Sequence, residues 1–93
     1  MPKLTGNLRI TTNPGTAQGP PHFEVSFVPY SGRVNSVPVK VGNHDDLVQF
    51  LMGIKLSEDE AGRWAGRARS EGVILIPNIE RTEAQLKGSG LLS

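Results

Sequence analysis

The chain has 93 residues and a mass of 10.0 kDa, the size of one domain with one core, which excludes a two-lobed enzyme with its cleft between lobes. Ten Lys and Arg against nine Asp and Glu leave a net charge of +1, so no overall basic field draws in nucleic acid and no acidic tail solvates the chain. The absence of cysteine removes disulfides, zinc–thiolate and iron–sulfur sites and thiol nucleophiles, so stability rests on packing, in a chain whose 11 Gly and 7 Pro make it rich in turns.

Residues 4–12 carry Leu8 and Ile10 at period two beside β-branched Thr11 and Thr12, which predicts a first strand. Residues 13–22 hold Pro14, Gly15, Gly19, Pro20 and Pro21 and read as a loop. Phe23, Val25 and Phe27 then alternate with Glu24 and Ser26, placing three apolar side chains on one face of a second strand. Tyr30, Ser31 and Gly32 supply a turn, and Val37, Val39 and Val41 form the returning strand of a hairpin. Pro29 and Pro38 cannot donate to a ladder, so each belongs at an edge, a bulge or a strand end.

At Gly42 the period changes. Leu47, Phe50, Leu51 and Ile54 make one apolar helical stripe, with Asn43 as cap, Asp45 and Asp46 at the positive end of the dipole, and Gly53 and Lys55 at the finish. Ser57 and Glu60 have capping-box spacing and open a second helix that stops near Gly72. Its inner stripe is Ala61, Trp64, Ala65 and Ala68. Residues 73–76 are apolar on both alternating faces, which suits an interior strand or one with a face hidden by a partner. Parallel pairing with the Val37–Val41 segment would make the two helices a right-handed crossover. Beyond Pro77, residues 82–87 suffice for one or two helical turns, and Gly88, Ser89 and Gly90 release a tail ending in Leu91 and Leu92.

These elements predict an α+β fold over residues 1–93, in the order β-β-β-α-α-β, with a small, mainly antiparallel sheet and two helices on one face. Residues 88–93 are a tail with no predicted docking site. With no apolar stretch of signal-peptide or membrane-spanning length, a cytoplasmic protein is expected, without a membrane partner.

Few residues gather in patterns that carry chemistry. The block Gly42-Asn43-His44-Asp45-Asp46 resembles the Gly-Asn-His-Asp/Glu block of calcineurin-like metallophosphoesterases, a resemblance implying that Asn43 and His44 help to hold metal and phosphate. It covers five residues, and the family's Asp-x-His and Gly-Asp blocks are missing. Read directly, the block is a strand-to-helix turn with a cap and two first-turn acids. His22 and His44 are the two histidines, and no Gly-x-Ser-x-Gly elbow or P-loop ending is present. The expectation is therefore no catalytic residue, no metal and no cofactor.

Two helices joined by a short turn have the layout of a helix-turn-helix, and Arg63, Arg67 and Arg69, with Lys55 and Arg81, are candidates for phosphate contact. The acidic first turn Glu58-Asp59-Glu60 opposes that approach. Trp64 flanked by Arg63 and Arg67, with Gly62 and Gly66 beside it, has the composition of an interface hot spot, and an exposed Leu91-Leu92 pair would be an apolar hook. The preferred reading is a non-catalytic interaction module whose partner is another protein or a second copy of itself. Nucleic-acid binding through Arg63, Arg67 and Arg69 is the alternative, and metal-dependent phosphoesterase chemistry at residues 42–46 the third.

Overall fold

A computed structural model describes residues 3–15, 17, 19–30, 32 and 35–92. The strands are β1 (Lys3–Asn13), β2 (His22–Pro29), β3 (Val39–Val41) and β4 (Val73–Thr82); the helices are α1 (His44–Gly53), α2 (Glu58–Glu71) and α3 (Glu83–Gly88). All strand pairs are antiparallel and the sheet order is β3-β2-β1-β4.

The register explains which side chains make the core. Leu8 stands between Phe27 and Ile76, and Ile10 between Val25 and Ile74, so three strands present one continuous apolar face. That face is closed by Leu47, Leu51 and Ile54 from α1 and the segment after it, and by Ala61, Ala65 and Ala68 from α2. Small alanines bring α2 close to the sheet, and the helix packs on β1 and β4 while α1 packs on α2 and β3. No polar or charged side chain is buried among the described residues.

The last strand departs from the expected placement. β4 is not parallel to β3 and not interior; it is an edge strand paired antiparallel with β1. The reason is ladder length. β3 offers three residues, because Pro38 has no N–H and Val37 donates to the Leu91 carbonyl instead, at 2.9 Å, whereas β1 offers eleven. The return is set at the end of α2, where Gly72 turns the chain at φ 85° and its carbonyl accepts from Thr12 N–H at 2.6 Å. Thr12 Oγ1 also donates to the Ala68 carbonyl at 2.6 Å.

β4 carries a bulge. Leu8 pairs with Ile76 and Gly6 with Ile79, leaving Pro77 and Asn78 opposite Asn7 alone. Asn78 takes φ 58°, and its N–H donates at 3.0 Å to the Tyr30 hydroxyl, which donates in turn to Asn7 Oδ1 at 2.7 Å. A side chain from the end of β2 thus reaches across β1 to hold the irregular part of β4. Gly6 lies in the same region, where a Cβ would collide with the Val28 carbonyl oxygen.

The helix caps follow their residue types. Asn43 Oδ1 accepts from Asp46 N–H at 2.8 Å, and Ser57 Oγ accepts from Glu60 N–H at 3.2 Å. The reciprocal capping box forms instead at α3, between Thr82 and Gln85. The tail is docked: Leu91 is 0% exposed and Leu92 6%, and Leu92 bridges Ser36. No helix is long and apolar enough to cross a membrane.

Candidate interaction surfaces

Antiparallel pairing sends alternate side chains of each strand away from the helices. Arg9 lies between Ser26 and Leu75, and Thr11 between Glu24 and Val73. At the β4 end this uncovered face is apolar, since Val73 is 49% and Leu75 52% exposed. Their strand is an edge, and it carries no charge from Val73 to Ile79. Natural edges are commonly blunted by charges, and here the device is confined to Pro77 and the bulge, downstream of the extended Val73–Ile76 stretch.

Above that edge lies α2. Arg69 is exposed and lines a cleft together with His22 and Phe23 of β2, so its flank of the helix is the one toward β2. Trp64, about 140° round the helix from Arg69, and Arg67 stand on the opposite flank of a helix that packs on β4 and β1. Trp64 is half-buried against the core, and the Arg67 guanidinium sits over its ring, 4.9 Å from the centroid. Arg67 Nε also donates to Glu71 Oε2 at 2.8 Å. Arg63 is exposed.

The sequence-stated candidates are thus distributed unequally. Trp64, Arg67 and Arg63 remain on the surface of α2, whereas Leu91 and Leu92 belong to the core and are not an exposed hook. The tail turns inward because Leu91 N–H donates to the Leu86 carbonyl and the Leu91 carbonyl accepts from Val37, which satisfies its backbone inside the fold. The three arginines do not form one basic surface: Arg69 points about 200° away from Arg67. Arg81 is engaged elsewhere, donating to the Ile54 carbonyl at the end of α1 at 2.6 Å.

His22 and His44, far apart in sequence, reach one cleft of about 370 Å³ bounded also by Thr12, Asn13, Asn43 and Arg69. The His22 ring lies between the Pro20 carbonyl and Glu24 Oε1, each at 3.3 Å. Nδ1 of His44 is shielded from solvent without a hydrogen-bond partner among the described residues. Within those residues no group of three His, Asp or Glu side chains is placed to hold a metal ion.

The uncovered β4 edge was half visible beforehand, as an apolar run too hydrophobic for a solvent-facing strand. Its position was not, because sheet order depends on pairing between distant segments. The convergence of His22, His44 and Arg69 has no local signal at all. Comparison with protein-family models, curated proteins and solved structures finds no match to this chain.

Proposed function

We propose that this chain is a non-catalytic protein-interaction module that associates with a second copy of itself through the free edge of β4. The observation that carries the reading is the exposure of Val73 and Leu75 on an edge strand that carries no charge from Val73 to Ile79. A two-fold axis at Leu75 places it against the partner's Leu75, and Ile74 against the partner's Ile76. Val73 then faces the partner's Pro77, so every cross-strand pair from Val73 to Pro77 is apolar, and edge amides and carbonyls find partners in a sheet continued across the axis except where Pro77 has no N–H to donate. The same axis sets two α2 helices side by side, with Trp64 and Arg67 available at the seam. Trp and Arg are side chains that concentrate binding energy when desolvated.

Sedimentation velocity over a wide concentration range tests this. The wild-type chain is expected to dimerise with little response to added salt, because the contact is apolar; phosphate contacts to nucleic acid would weaken steeply instead. Leu75→Lys sets two like charges together at the axis and is expected to weaken the dimer about a hundredfold or more, with the circular dichroism spectrum unchanged. A monomer at every concentration, or a dimer untouched by Leu75→Lys, overturns the reading.

A further inference from the structure

A second surface, independent of the β4 edge, has the chemistry of a ligand site. The cleft holding His22, His44 and Arg69 adjoins another of about 530 Å³, and the two share Asn13, Pro14, His22 and Gly42. Lys40 lines the second cleft. Lys40 is the cross-strand partner of Glu24 and lies on the sheet face turned away from the helices, so the depression that meets Arg69 is the cleft of about 370 Å³ alone, between the β1–β2 connection, the start of β2 and the start of α1. One permanently cationic side chain, two imidazoles and two carboxamides line it, and among the described residues no acidic one does. Two carboxylates lie beside lining residues rather than in the lining: Glu24 Oε1 is 3.3 Å from His22 Nε2, and Asp46 Oδ2 lies near Gly42.

We propose that this depression binds the phosphoryl group of a small organic phosphate. Arg69 has no ion-pair partner among the described residues, so its guanidinium fork is available to two oxygens of one anion. With Nδ1 of His44 shielded, Nε2 is the ring nitrogen that a ligand meets. Arg69 and the Asn13 and Asn43 amides line separate walls of the cleft, which suits a tetrahedral anion better than a flat carboxylate that one guanidinium already satisfies. A cleft of about 370 Å³ is of the size that small-molecule sites occupy, and the apolar walls Phe23, Pro14 and Pro21 are suited to the organic part.

The test is NMR titration of the full chain with phenyl phosphate, and with benzoate as the planar counterpart. Phenyl phosphate is expected to give saturable shifts at the His22 and His44 rings and Arg69 Nε, with millimolar or tighter affinity. Arg69→Gln is expected to weaken binding about tenfold or more, while Arg63→Gln, outside the cleft on the same helix, leaves it unchanged. A thermal melt confirms that both variants fold. The proposal is overturned if no shift saturates, if benzoate binds equally well, or if Arg69→Gln and Arg63→Gln behave alike.

Discussion

Tyr30 shows how one side chain decides the shape of an edge. Its hydroxyl is the meeting point of Asn78 N–H and Asn7 Oδ1, and it holds a bulge that would otherwise be tied to the sheet only on its flanks. Tyr30→Phe keeps the ring and removes the oxygen. It is expected to cost about 0.5–1.5 kcal/mol in urea unfolding, with faster amide exchange at Asn78 than at Ile76. The role was not legible in the sequence, where Tyr30 sits beside Ser31 and Gly32 and reads as part of a turn. Nothing in the spacing of Asn7, Tyr30 and Asn78 indicates that three strands bring them together.

At the scale of elements the sequence is far more readable, because caps and periodicity are local. The start of α1 is the clearest case: the Gly42–Asp46 block that resembles a phosphoesterase motif uses Asn43 as its cap, with Oδ1 on Asp46 N–H. Asn43→Ala is expected to lower stability by about 0.5–2 kcal/mol in chemical denaturation, whereas Asn43→Asp, which keeps an acceptor, restores most of it. The stripes of Leu47, Leu51 and Ile54, and of Ala61, Ala65 and Ala68, are buried where period 3.6 puts them. The element that misled was β4. An apolar run on both faces is the mark of an interior strand, yet Val73 and Leu75 are exposed. Local pattern reports how much apolar surface a strand carries, while the identity of its neighbour depends on the lengths available elsewhere in the chain.

For the molecule as a whole, the fold closes through its last described residues. Leu86, Leu91 and Leu92 complete the core, and the Leu91 carbonyl holds the segment leading into β3. Leu91→Ala is expected to cost about 2–5 kcal/mol by calorimetry or denaturant melting, a large share of the stability of so small a domain, and to leave the affinity of the β4 contact per folded molecule unchanged. The α+β class, and the pairing of the Phe23–Phe27 strand with a returning strand that the structure confines to Val39–Val41, were legible from alternation and turns. The docking of the tail was not, because Gly88, Ser89 and Gly90 look like a release from the fold, and only the unfilled end of the core beside Val37 supplies a reason to return.

The central strand of the sheet is the first to be made. β1 gains β2 on one side early, but its other side waits for β4, which follows two helices in the chain. A nascent chain emerging from the ribosome therefore displays Leu8 and Ile10 on a ribbon with an unfilled flank until both helices and β4 have been synthesised. Such a ribbon is a target for chaperones and for clumping with its neighbours, so slowing translation just before β4 is the step at which yield of native protein is most exposed.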